Sequence, residues 1–288
     1  MYPLHSLACL RISGPDARNY LQGQLSNDLA LLTPEQSLLA SCNSSQGRVQ
    51  AVLHLIERND GILMLLPRVM LDSTLSRLRK YVLRAKLTIE DVRDSVQALW
   101  LDRADLDTKG WPIPERFGEH AQRDQLSIMR WPDAQAERWL GLSTGAVEAQ
   151  SQGAEHDWLL ADIQAGLPQV LPETHESFVA QMLNLDVLGG ISFNKGCYTG
   201  QEIIARAHFR GTVKRRMFRF QAQSEAPAPG TRVLANGEHA GEVVMASSIL
   251  LGSELLAVVS TALSGAMLTL ENGVALQLLP LPYELPQG

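Results

Sequence analysis

Lys195-Gly196-Cys197-Tyr198-Thr199-Gly200-Gln201-Glu202 brings a thiol, a nearby cation and two glycines into one short turn. The pattern places Cys197 about two residues before a helix, with Thr199 and Glu202 spaced as a capping box. A side chain there lies near unpartnered backbone N–H groups and the positive end of the helix dipole. Lys195 adds a positive charge. Both features favour thiolate over thiol, so the spacing predicts a lowered thiol pKa and a reactive Cys197. Gly196 and Gly200 leave room for a partner to approach the backbone. The same residues also suit a small buried hydrophobe in a tight turn, and local chemistry leaves both readings open. His208 is the nearest histidine that could act as a base, but it sits on the following helix, where its ring need not return to the turn.

Just downstream, Arg206, Arg210, Lys214, Arg215, Arg216 and Arg219 cluster with no acidic residue among them, although the chain carries a formal charge of −6. The asymmetry points to a local anion site or to a solvated basic strand edge. No His-x-x-x-His or Cys-x-x-Cys pair occurs, and neither a phosphate-binding glycine loop nor a dinucleotide fingerprint is present. No protein-held metal is therefore expected. Three cysteines (Cys9, Cys42, Cys197) give no disulfide framework, which predicts a reducing, cytoplasmic setting. No apolar run approaches the roughly 20 residues needed to span a bilayer, and no signal peptide is expected at the N-terminus.

The elements that position the turn can be read from hydrophobic period. Leu7 to Ile12 alternates as a strand, and Ser13 with Asp16 is spaced to cap a helix carrying Ala17, Tyr20, Leu21 and Leu25 on one face. Strands follow at 38–42, 49–56 and 61–66. An amphipathic helix then carries Val69, Leu71, Leu75, Leu78 and Val82, with Arg77, Arg79, Lys80 and Arg84 expected on a solvated surface. Regular structure should loosen from Asp102 to Pro132, and a helix from Trp158 to Ala165 should stop at Gly166. A strand is expected at 191–193. Beyond Lys214, six short apolar runs punctuated by Pro229-Gly230, Asn236-Gly237 and Asn272-Gly273 predict a small antiparallel barrel or sandwich. At 288 residues the chain has room for two domains, placed at 1–210 and 211–288.

The octapeptide around Cys197 resembles the signature of the folate-binding YgfZ family, which is related to the aminomethyltransferase (T protein) of glycine cleavage. The resemblance extends to Ile12-Ser13-Gly14-Pro15-Asp16-Ala17, Tyr20-Leu21-Gln22-Gly23-Gln24, Asn27-Asp28, Leu78 to Lys86, Gln181 to Leu185 and Ala205 to Gly211. It implies an α+β, aminomethyltransferase-like folate-binding domain whose interwoven subdomains surround a central cavity, followed by a small C-terminal β-barrel. It also implies tetrahydrofolate or another reduced folate in the cavity, with Cys197 at its rim and Trp158 packed on the pterin. Gln164 and Leu7 match two further folate-contacting positions.

Three departures follow from the same comparison. The aminomethyltransferases carry an acidic pair in the strand after the glycine matching Gly47, but Arg48-Val49-Gln50-Ala51-Val52 has no acid. Gln164 stands where many relatives have glutamate, which removes a charge-assisted bond. Leu7 stands where some relatives have an aromatic. The resemblance thus implies a tetrahydrofolate-binding accessory protein that supports iron–sulfur cluster assembly or repair, including clusters of tRNA-modifying enzymes, with Cys197 reactive and Lys195 assisting it. A folate-dependent one-carbon transferase is the alternative. The expected partners are folate and iron–sulfur client proteins, with no membrane, no direct nucleic-acid binding and a monomeric chain. The aromatics near the basic run, Phe209, Phe218 and Phe220, are too few to suggest a stacking surface for nucleic acid.

Overall fold

A computed structural model describes residues 1–134, 137–147, 154–209, 211 and 213–286. The first part of the chain builds β1 (Tyr2–Pro3), β2 (Leu7–Ser13), α1 (Ala17–Gln24), β3 (Leu38–Asn43), β4 (Val49–Arg58), β5 (Gly61–Pro67), α2 (Leu71–Lys80) and β6 (Thr88–Asp91). The second part builds β7 (Gln97–Leu101), α3 (Arg103–Lys109), β8 (His120–Arg123), β9 (Leu126–Trp131), β10 (Arg138–Ser143), α4 (Ala154–Gln164) and α5 (Gln201–Phe209). Six strands follow: β11 (Arg215–Ala222), β12 (Arg232–Ala235), β13 (Glu238–Ile249), β14 (Gly252–Ser260), β15 (Leu268–Leu270) and β16 (Ala275–Leu279).

One sheet has the order β3-β4-β5-β2-β6, a second the order β1-β7-β10-β9-β8, and the last six strands close a barrel. The chain threads between the sheets. β1 pairs with β7 of the second sheet, while β2, four residues later, pairs with β5 of the first. β3 is an edge strand yet buried along its whole length, because residues 25–27 run beside it, with the Ser26 N–H donating to the Ser41 carbonyl and Asn27 to that of Leu39. Tyr20 ties α1 to α2 by donating to the Leu78 carbonyl at 2.6 Å.

The barrel has the period-two signature of a closed sheet. Leu255, Ala257 and Val259 of β14 fill its interior, while Leu256 and Val258 face outward into the core of the main body. All six apolar runs are strands, and Asn236 and Gly237, at φ 51° and 81°, form the two-residue hairpin turn joining β12 to β13.

Several local expectations are corrected. Asp16 makes no side-chain cap for α1; its carboxylate accepts instead from the Lys86 backbone N–H at 2.6 Å, holding the helix start to the far end of the α2 connection. Val69 precedes α2 and is 64% exposed, because a tight turn at 68–70 rotates it off the apolar stripe. Arg77 is half-buried rather than solvated, for it donates to Gln50, Gln24 and the Asn43 carbonyl, which a helical wheel cannot show; Arg79 stays exposed as expected and donates to the Ile89 carbonyl. Residues 103–131 hold a helix and two strands, and only the segment around Trp111-Pro112-Ile113-Pro114 is irregular. A capping box from Asp102 and Asp105 starts that helix. Residues 191–193 join no sheet; the Ser192 N–H meets one loop carbonyl, that of Ser26, at 3.0 Å.

Candidate functional site

The segment from Gly189 to Gly200 crosses the C-terminal end of α1, where helix carbonyls run out of intrahelical partners. Lys195 supplies what they lack. Its Nζ donates to the carbonyls of Gln22, Leu25 and Asn27 at 2.7, 2.8 and 2.7 Å, and it lies 5.0 Å from the Tyr198 ring centre. An ammonium has three N–H donors, and all three are engaged. It also sits at the negative end of the α1 dipole, where a cation is favoured. The side chain is 8% exposed, and burial pushes its pKa down to about 8, against the pull of Asp28.

The anchor is extended by side chains at the α1–β3 connection. Ser26 Oγ donates to the Gly190 carbonyl at 2.6 Å and accepts from the Ser41 N–H at 2.8 Å. Asn27 Nδ2 donates to the carbonyls of Leu39 and Gly189, both at 2.7 Å. On the far side the loop presses on the β3–β4 turn. Gly200, at φ +83°, lies so close that a Cβ would come within 2.5 Å of the Ser44 carbonyl oxygen. Gly47, at φ +71°, faces it, and a Cβ there would meet Ile203 Cβ at 2.8 Å. Two glycines far apart in sequence thus make one backbone contact.

Cys197 is exposed on this braced loop, and the position of Gly196 beside it is open. The expected local geometry changes in two respects. α5 begins at Gln201, four residues after the cysteine, and Thr199 forms no hydrogen bond with Glu202; its own N–H donates to the Gly23 carbonyl at 3.2 Å. Lys195 turns its ammonium into the α1 carbonyls. His208 stacks on Phe193, with ring centres 3.7 Å apart and planes at 11°, so its ring does return toward the segment that precedes the turn.

The basic run is divided by the fold. Arg216 is buried and forms a bidentate pair with Asp186 at 2.6 and 2.8 Å, while Arg219 pairs with Glu254 at 2.6 Å. The first pair holds the barrel to the main body, and the second ties β11 to β14 within the barrel. Arg206, Lys214 and Arg215 make no ion pair among the described residues, and Arg210 lies outside them.

The folate-contacting positions are not gathered around a ligand-sized space. Between the two sheets Leu7, Val52, His54, Leu65, Trp131 and Leu167 line a cavity in which the centre of a water molecule can move through only about 20 Å³. That is room for about one water. His54 and Trp131 close its walls together, with ring centres 4.2 Å apart. Trp158 is 1% exposed, 5.5 Å from Trp131 and 5.9 Å from Trp100, with the Arg138 guanidinium 4.5 Å from its ring centre. Gln164 is turned to the barrel, donating to Glu254 at 3.2 Å. A pterin does not fit among these side chains as they stand.

Sequence reasoning missed the pair that packs this centre. Arg138 and Asp162 form a fully buried ion pair at 2.6 Å, and Trp131 Nε1 and Gln169 Nε2 also donate to the carboxylate at 2.8 and 3.1 Å. Burial pushes the Asp162 carboxyl upward, while Arg138 and the other donors pull it back. An aspartate amid the apolar residues of α4 was the available signal. In the strand after Gly47, Gln50 bridges Arg77 at 2.6 Å and Glu176 at 2.6 Å. No acid stands among residues 48–52, and the strand's one carboxylate, Glu57, is at its far end and paired with Arg18.

Comparison with known proteins agrees with this architecture. The tRNA-modifying protein YgfZ of Klebsiella pneumoniae (strain 342) is 32% identical, with the alignment covering 98% of this chain and 92% of the relative. The solved structure of glycine cleavage system aminomethyltransferase T from Bartonella henselae matches with a TM-score of 0.78 at 17% identity, covering 98% of this chain and 85% of that one. The fold is therefore aminomethyltransferase-like, with a closed C-terminal barrel. No family model matches the chain. Among the described residues, no helix is long and apolar enough to cross a membrane.

Proposed function

The chain belongs to the YgfZ family of tRNA-modifying proteins, and on that premise we propose that it is an accessory protein for iron–sulfur enzymes of tRNA modification, acting in trans through Cys197. One observation carries the reading: an exposed thiol stands on a loop braced by the Lys195 anchor and by the Gly47–Gly200 contact. A braced loop holds the sulfur out to a client without first having to be ordered, which favours association. As a thiolate, Cys197 would donate a lone pair to client iron, with no change of oxidation state and with its proton released to solvent. The buried free thiols Cys9 and Cys42 support a reducing, cytoplasmic setting. Their pKa values are pushed up to about 12 and about 11 by burial, which keeps them inert.

The side chains around the matched positions leave no ligand-sized space for tetrahydrofolate, the ligand that the resemblance implies, so no step of this function passes through it. The one-carbon transferase reading has little support. The stretch matching the acidic pair of the aminomethyltransferases, residues 48–52, holds no acid, and its Gln50 is already engaged by Arg77 and Glu176.

The test is complementation in cells lacking the protein, with mass spectrometry of tRNA nucleosides whose formation depends on iron–sulfur enzymes. The wild-type chain should restore them and Cys197→Ser should not, at equal protein level. Full restoration by Cys197→Ser would overturn the proposal.

A further inference from the structure

An open cleft of about 850 Å³ lies between α5, residues 181–193 and the C-terminal segment 284–286. It falls within the size range of small-ligand sites. On one wall Phe193 and His208 form a two-ring stack, and Phe209 stands edge-on to His208 at 4.7 Å. His208 is exposed, so the stack forms a shelf at the mouth.

Deeper in, Gln181 is 1% exposed and aligned by its Nε2, which donates to the Ile204 carbonyl at 2.6 Å. Among the described residues its Oε1 has no hydrogen-bond partner, and the atom is closed to solvent as the side chain stands. Buried polar atoms are nearly always paired, so this amide oxygen is an acceptor lacking a donor. Asp186 and Glu284 also line the cleft, and the charge of Arg216 is already matched by Asp186. The interior therefore favours a planar ligand with N–H donors on its edge. Arg206 and Lys214, which flank the wall residues Ala207 and Val213 in sequence, carry charge unmatched by any carboxylate among the described residues.

We propose that this cleft binds a nucleotide, with its base on the Phe193–His208 shelf, its N–H edge toward the carboxylates of the inner wall and its phosphate toward Arg206 and Lys214. Base stacking on aromatic rings and neutralisation of phosphate by cations are the two general modes of holding an unpaired nucleotide. The basic run alone lacked a stacking surface; the fold supplies one, because Phe193 arrives from thirteen residues before Arg206. A free mononucleotide and an unpaired nucleotide within an RNA strand present the same chemistry. The proposal does not depend on the role given to Cys197.

The full chain would be titrated with guanosine 5′-monophosphate by calorimetry and with a fluorescein-labelled single-stranded oligoribonucleotide by anisotropy. Binding of the mononucleotide would support a free ligand; binding of the RNA alone would support a strand. In either case His208→Ala should weaken binding roughly 5- to 100-fold, the range expected for loss of one stacked base, while His208→Phe preserves it. Arg206→Ala with Lys214→Ala should flatten the salt dependence. In the unsubstituted protein, the His208 ring protons should shift in NMR spectra on titration, a readout that needs no variant. No binding tighter than about 1 mM for either probe would overturn the proposal. So would binding unchanged by His208→Ala or an unmoved His208 signal at saturation.

Discussion

Replacing Lys195 with methionine tests whether the loop that carries Cys197 is held by that ammonium. The substitution keeps most of the side-chain volume but removes three donors from the carbonyls of Gln22, Leu25 and Asn27. The bonds to Leu25 and Asn27 are buried, and that to Gln22 is partly buried. A buried acceptor left without a partner costs about 1–3 kcal/mol, so two such carbonyls set a loss of about 2–6 kcal/mol. The ammonium's own desolvation penalty disappears in the variant and offsets part of this, so about 3–4 kcal/mol is expected. At roughly 2–4 °C per kcal/mol for a chain of this class, Tm should fall by about 6–16 °C. Lys195→Arg should recover only part of it, because a planar guanidinium cannot converge three donors as a tetrahedral ammonium does. Differential scanning calorimetry gives the melting temperatures, and reaction of Cys197 with an aromatic disulfide reports on the loop. In folded Lys195→Met the thiol should react faster, since the loop is no longer braced. A melting temperature within about 2 °C of wild type, with a slower thiol reaction, would refute the reasoning and return Lys195 to the role of assisting the thiolate.

Gly200→Ala should lower stability by about 2–3 kcal/mol and loosen the same loop, because it combines a left-handed backbone with a contact at 2.5 Å to Ser44 O; urea unfolding measures it. Arg138→Leu alone should cost about 3–5 kcal/mol by leaving Asp162 buried and unpaired, whereas Arg138→Leu with Asp162→Leu should recover much of that loss in the same assay. His54 and His120 are buried and their pKa values are lowered to about 3 and about 4, chiefly by burial. Their folded values lie below the unfolded one, so the unfolded chain takes up protons first. Stability is therefore full above about pH 6.5 and falls as pH drops toward the folded values, by about 4 kcal/mol for the two together at pH 5. Substituting both with phenylalanine should flatten that part of the stability–pH curve, and an unchanged curve would show that the rings are hydrated.

Much of the architecture was legible because it rests on local regularities. Period-two runs and Asn-Gly turns gave the barrel strands, and alternating or continuous apolar runs gave β2 to β5, since the side chain's share of a buried face is fixed by strand geometry. The Cys197 turn was legible too, as a glycine-flanked cysteine beside a lysine. What each of those residues does was decided elsewhere. Lys195 meets carbonyls about 170 positions earlier in the chain, Gly200 meets the turn at Ser44, and Arg216 finds Asp186. Linear spacing carries no information about such encounters, because side-chain partners are chosen by which elements pack together. The same holds for the centre of the molecule. Leu7 and Gln164 read as variants of a ligand site, but the cavity is set by how His54, Trp131, Trp158 and the Arg138–Asp162 pair fill the space between two sheets. Residue types and local periods are properties of the chain; cavity volume and the pairing of buried charge belong to the packed fold.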